Sequence, residues 1–259
     1  MKCSVRSRIA ALLITVGFAA VCEANGVQAD ILFAPVNVTI APPARAGDFT
    51  IRNPSTQPLR LQISAARWIN APGNRIELAP TSDVIVFPQL VTVPGYGKQE
   101  IRIAMLAPPG DVEKTYRIVV DALPQAPPPG DRLRGAELRL NFRTQFTVPV
   151  MVEPLVSRVG GRLTAATARR DAVDFTLLNS GNTHLGDDAI QIIARDAAGS
   201  VVFSQPFRGW WVLAGDARSF SFHAPQDRCR AVRSITIAAP AYMKVAPKII
   251  DVAGGVCVV

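Results

Sequence analysis

Apolar and polar residues alternate with a period of two through most of this chain, the pattern of β-strands with one buried face. The longest run is Ala136 to Val152, AELRLNFRTQFTVPVMV. Leu138, Leu140, Phe142 and Thr144 point one way; Glu137, Arg139, Asn141 and Arg143 point the other. Its 17 residues far exceed an ordinary strand of roughly 5–6, so it can complete its own sheet and still offer an apolar row to another protein. Shorter strands are predicted at 31–40, 48–53, 59–68, 84–94, 98–105 and 114–122. Pro35 interrupts the first and Pro42-Pro43 ends it, which places it at a sheet edge or at a switch between sheets. In the second half the strands fall at 172–179, 189–195, 201–205, 219–223, 232–238 and 248–252. Helical periodicity is nearly absent. Short strands at close spacing, divided by turn signals such as Asn53-Pro54-Ser55 and Ser180-Gly181-Asn182, predict an all-β protein of two immunoglobulin-like β-sandwich domains in tandem. The first covers 30–153 and the second 154–259, joined near Glu153–Val156. Pro124 to Gly135, PQAPPPGDRLRG, has no periodicity and is expected to be an exposed mobile loop feeding the long strand.

The first 29 residues change the picture of where the chain works. Lys2, Arg6 and Arg8 precede an apolar run from Ile9 to Val21, and Val27-Gln28-Ala29 offers small residues at −3 and −1 of a cleavage site. This reads as a secretory signal peptide over 1–29, cleaved near Ala29. The run is too short for an ordinary transmembrane helix, so no membrane insertion of the mature chain is expected. Removing the signal takes Cys3 and Cys22 with it and leaves Cys229 and Cys257. Two cysteines in an oxidising compartment are expected to pair. Closing 27 intervening residues would contribute roughly 3–4 kcal/mol by the chain-entropy model. The formal net charge of +8 falls to +6 without residues 1–29. It is read as a basic solvated surface, because no aromatic–basic platform for nucleic acid accompanies it.

Reactive constellations are missing from the sequence. His184 lies beside a turn and His223 at a strand end, in no metal-binding spacing, and each reads as a surface or cap histidine. There is no G-x-S-x-G elbow and no phosphate loop; Gly95-Tyr96-Gly97 precedes a strand and reads as a turn. Trp210-Trp211 could stack on a sugar, but the plainer reading is one ring buried and one on the surface of a strand. No catalysis, cofactor or metal is expected. A binding role through β-structure remains, since a large apolar row on an edge strand needs a partner.

Several local patterns, in one order, resemble the periplasmic chaperones of the chaperone–usher pilus pathway, in particular the archaic branch. They are Asn53-Pro54-Ser55 with Pro58-Leu59 and Trp68; Pro88, Pro94-Gly95 and Gln99 to Arg102; Tyr116-Arg117 through Asp121-Ala122-Leu123-Pro124; Thr147 to Val152; and Asn179-Ser180-Gly181-Asn182-Thr183-His184. The resemblance implies a chaperone that binds pilus or fimbrial subunits by donating a strand, then delivers them to an outer-membrane usher. Leu138, Leu140, Phe142 and Thr144 would be the donor row. Family members hold the subunit's C-terminal carboxylate with an Arg in the first strand and a basic residue in the donor strand. Here the matching positions are Asn37 and Gln145 or Thr147, with Arg143 as a nearby substitute. Neutral donors make hydrogen bonds about half as strong as charged ones. The alternatives are an extracellular adhesive or structural protein of the same fold, with the long strand buried in its own core, and a carbohydrate-binding module using Trp210 and Trp211.

Overall fold

The computed structural model describes residues 31–71, 74–124, 144–169, 172–186, 188–208, 211–225 and 227–252. In the first half the strands are β1 (Leu32–Ala34), β2 (Val38–Ile40), β3 (Ala46–Arg52), β4 (Leu59–Ala71), β5 (Arg75–Pro80), β6 (Val84–Phe87), β7 (Leu90–Val93), β8 (Lys98–Met105), β9 (Lys114–Ala122) and β10 (Thr144–Val152). The second half holds β11 (Gly161–Ala168), β12 (Ala172–Asn179), β13 (Ile190–Arg195), β14 (Val201–Phe207), β15 (Ala217–His223), β16 (Ser234–Ala238) and β17 (Lys248–Asp251).

Each half is a sandwich of two sheets. The first stacks β1-β3-β8-β6 on β2-β10-β9-β4-β5, with β7 also pairing β4; the second stacks β11-β12-β15 on β14-β13-β16-β17. The alternation in sequence becomes alternation in burial: Phe49, Ile51, Ile101, Ile103, Tyr116, Ile118 and Val120 fill one core, and Val173, Phe175, Leu177, Ile192, Ile235 and Ile237 the other. The prolines act as expected at the start of the chain. Residues 35–37 are a bend; β1 before it pairs β3 in one sheet, and β2 after it pairs β10 in the other.

The segment expected as one strand over 84–94 is two. β6 pairs β8 and β7 pairs β4, in opposite sheets. Pro88, which lacks the N–H a continuous ladder needs, sits between them. Two strands went unpredicted. β5 is almost wholly exposed, so it lacks an alternating pattern. β11, GRLTAATA, carries mostly small residues. Of the predicted strand over 136–152, β10 is described; residues 136–143, with Leu138, Leu140, Phe142 and Arg143, lie outside the described residues, as do most of the loop at 124–135 and the signal segment.

Each half has a corner of the same kind. Asn53, just past β3, and Asn179, ending β12, are both 1 % exposed. Asn53 Nδ2 donates to the carbonyls of Gln57, Val93 and Pro94 at 2.7, 3.2 and 3.0 Å, and its Oδ1 accepts from Ser55 N–H at 3.0 Å. Asn179 Nδ2 donates to Thr183 and Val212 carbonyls at 2.7 and 3.0 Å, and its Oδ1 accepts from Gly181 N–H at 2.9 Å. In both, an amide side chain ties a turn to the far end of another strand. Asn53→Ala leaves three carbonyls without this donor. Unsatisfied buried groups cost about 1–3 kcal/mol, so the melting temperature should fall by roughly 2–12 °C for a protein of this size. A shift below about 1 °C in a thermal melt would mean the corner is dispensable.

Candidate functional site

The outer face of the β10-β9-β4 sheet does not face water everywhere. Residues on it come from positions opposite in parity to the core: Trp68 on β4, Thr115, Arg117, Val119 and Asp121 on β9, and Gln145, Thr147 and Met151 on β10. Part of it is covered by the second sandwich. Trp68, Met151 and Leu213 are 2, 0 and 7 % exposed and form a small separate core with Trp211 packed against it. The Trp68 and Trp211 rings meet nearly edge to face, centroids 5.6 Å apart. The sequence left open which ring of Trp210-Trp211 is the buried one; Trp211 is partly buried, lies between strands and packs against the first domain. Trp210 lies outside the described residues.

A second contact fixes the same junction. The turn Asn179–His184 reaches the loop before β9. Glu113 N–H donates to the Asn182 carbonyl at 2.9 Å, and Asn182 Nδ2 donates to the carbonyls of Asp111 and Val156 at 2.7 and 2.8 Å. Gly181 lets this turn pack on the start of its own half: a Cβ there would lie 2.3 Å from the Arg158 carbonyl oxygen. His184 N–H donates to Glu113 Oε2 at 2.8 Å, and Nδ1 lies 2.8 and 2.9 Å from the two carboxylate oxygens. With side chains only 11 and 1 % exposed, this is a buried interdomain pair. The reading of His184 as a surface histidine is corrected: it is covered and bound by the Glu113 carboxylate, 71 residues away in sequence. His223 is exposed at the end of β15, as expected.

Arg117 is the unusual group. It is 8 % exposed, its guanidinium carbon stands 3.9 Å above the Trp68 ring, and it lies 5.6 Å from the Trp211 ring. Among the described residues no carboxylate pairs with it. Its Nη1 makes one long bond to Thr147 Oγ1 at 3.4 Å, and its Nε has no acceptor. Burial pushes its pKa down to about 10, so it remains a cation at neutral pH. Burial also lowers the pKa of Arg218, whose Nη1 donates to the Trp211 carbonyl at 2.9 Å. A desolvated cation without a counter-ion is costly and points to an anion that arrives from outside.

The expected anchor residues divide around it. Gln145 Nε2 donates to Asp121 Oδ1 at 2.9 Å, beside a carboxylate that would repel another. Asp121 and Arg117 are four residues apart on β9, about 13 Å along a strand. Thr147 touches Arg117 directly. Asn37 is half-buried, one residue before Val38, which pairs Val150; Pro149 pairs Arg117 on the other side. Asn37 is thus the last residue of the bend that leads into the β2–β10 pairing, while Arg117 lies on the other side of β10. Thr144 opens β10 opposite Ala122, half-buried. Arg117 itself was missed as a site residue. Its signal was a lone charge in the otherwise apolar run Tyr116-Arg117-Ile118-Val119-Val120.

One edge of this sheet is open. β10 pairs β9 along all of 144–152, but pairs β2, in parallel, only at Val150–Val152. Among the described residues, Thr144 to Pro149 has no strand on that side. Phe146 on this stretch packs its ring 5.6 Å from Phe33, and Val36, two residues before Val38, is 73 % exposed. Among the described residues, the site is thus an unpaired strand edge beside a buried cation.

Residues 31–156 match the family model of pili and flagellar-assembly chaperones, PapD N-terminal domain. By that match, residues 31–156 belong to the family of pili and flagellar-assembly chaperones. The fold is similar to solved structures across both sandwiches. One is the CsuC–CsuE chaperone–tip adhesion subunit pre-assembly complex of archaic Csu pili from Acinetobacter baumannii (TM-score 0.51, 15 % identity, 86 % of this chain and 98 % of that chain). Another is the Salmonella enterica SafA pilin in complex with the SafB chaperone (TM-score 0.52, 12 % identity, 87 and 97 %), and a third is the YadV chaperone (TM-score 0.53, 11 % identity, 86 and 100 %). No curated protein matches the sequence significantly. This family is one of chaperones, and the two-sandwich architecture expected from the sequence is the one found. Among the described residues no cluster could hold a metal ion, and no helix is long and apolar enough to cross a membrane. The Cys229 thiol is disulfide-bonded; Cys257 lies outside the described residues.

Proposed function

We propose that this chaperone binds unfinished pilus subunits in the periplasm by lending them the open edge of β10 and the segment before it, and then passes them to an outer-membrane usher. The observation that carries this reading is the open edge beside the buried, unpaired cation of Arg117. A subunit strand added along Thr144–Pro149 would satisfy the free backbone groups, as in other cases of β-augmentation. In sequence, the alternation that puts Phe146 and Val148 on the inward face of β10 runs on through Phe142, Leu140 and Leu138, and these are the side chains we assign to filling the subunit's gap. Similar folds that are themselves chaperone–subunit complexes support the choice of partner. Export depends on the signal segment at 1–29, and the archaic-type placement on the sequence patterns.

The subunit's terminal carboxylate goes to Arg117. Thr147 lies beside it as a neutral donor, Gln145 is occupied by Asp121, and we assign Asn37 as a further neutral donor. The test is co-expression with exported, immunoglobulin-like subunits lacking a last strand, followed by affinity capture and hydrogen exchange. A one-to-one complex is expected, in which amides 138–149 become protected relative to the free protein. Protection of 138–143 already in the free protein, with no complex formed, would instead make the long strand part of this domain's own core.

A further inference from the structure

We propose that Trp211, with Trp68, positions the Arg117 guanidinium for its carboxylate, so that the anchor is completed by the second domain. This rests on the assignment of Arg117 as the anchor. A guanidinium attracts aromatic rings through its flat faces and acceptors through the N–H groups at its edge. Here the face is taken: the guanidinium carbon is 3.9 Å over Trp68 and 5.6 Å from Trp211, whose own rings are inclined by 70°. The edge is nearly unused, with one 3.4 Å bond to Thr147 and an Nε without an acceptor. The group is thus held by π-faces while most of its donor edge lacks an acceptor among the described residues.

Both rings are themselves fixed. Trp68 Nε1 donates to Asn70 Oδ1 at 3.0 Å. Trp211 is tied to its own domain by the Arg218 bond to its carbonyl, and its neighbour Val212 bridges Leu185 with backbone bonds of 2.9 Å in both directions. The first domain alone would keep Trp68 and Arg117 but lose the second ring, leaving the long side chain free to sample other rotamers.

The experiment uses the full mature protein and one synthetic probe in two forms: a twelve-residue alternating Val–Thr peptide with a free C-terminal carboxylate, and the same peptide as its C-terminal amide. The wild type should prefer the carboxylate form, and Arg117→Ala should erase that preference. Trp211→Leu keeps apolar packing on Met151 without a π-face, whereas Trp211→Phe keeps one. Leu should weaken the carboxylate peptide roughly ten- to thirty-fold and leave the amide peptide unchanged, and Phe should restore most of the preference. If wild type and Trp211→Leu prefer the carboxylate equally while Arg117→Ala does not, the positioning role is overturned and the anchor stands. If Arg117→Ala leaves the preference intact, the anchor itself is wrong. Near-UV circular dichroism should lose the Trp68–Trp211 coupling signal in Trp211→Leu, with an unchanged melting temperature excluding a general loss of fold.

Discussion

Arg117→Ala is expected to weaken capture of a subunit by roughly 30- to 4,000-fold, the range set by removing one partner of a buried charge pair at about 2–5 kcal/mol. The purified protein should stay folded. The sign follows from burial: a base whose pKa is pushed down to about 10 disfavours the folded state while charged. That penalty is present below about pH 10 and fades as pH rises toward the group's ordinary value. Deleting the cation therefore removes a cost along with its contacts to Trp68. The pH profile of capture carries the same logic. Affinity should be flat between pH 6 and 8, and fall below pH 4 as the subunit's α-carboxyl, near 3.5, takes a proton. Isothermal titration of the variant against a captured subunit, with a parallel melt, checks both. A variant that binds as the wild type does would move the anchor away from β9.

The second large effect is expected on the donor row. Leu140→Glu or Phe142→Asp should abolish capture without altering the melt of the free protein. Each change removes about 1.5–3 kcal/mol of apolar burial in the complex and places a charge where the subunit's gap has no counter-ion. Phe146, on the same face of β10, is the control. It already packs on Phe33 and the first core, so Phe146→Ala should destabilise the free protein by about 2 kcal/mol, less than the roughly 3–5 for a fully buried Phe. If Leu140→Glu unfolds the protein as a core mutation would, the row belongs to this domain and not to a guest.

These two sites were not equally legible. The donor row is a local pattern, and alternation within one segment is enough to suggest it. Arg117 could be seen only as an oddity, a charge inside Tyr-Arg-Ile-Val-Val, because nothing near it in sequence explains its burial. Trp68 is 49 residues upstream and Trp211 94 downstream, and their meeting depends on how two sandwiches dock. His184 was misread for the same reason, since Glu113 approaches from the other domain. The split of 84–94 into β6 and β7 sits between these cases. Pro88 was visible in the sequence, but the ladder each half would join was not.

The sequence alone determined most of the strands and the two-sandwich architecture, because alternation with period two, prolines at strand breaks and asparagines at turns act over a few residues. It also determined the family, through short patterns in a fixed order. Tertiary structure alone decided, among the described residues, which strand edge is unpaired, which faces the second domain covers, and which buried cation lacks a counter-charge. Those are properties of pairing and docking between distant segments, where desolvation and ring stacking arise from neighbours that the linear order does not bring together.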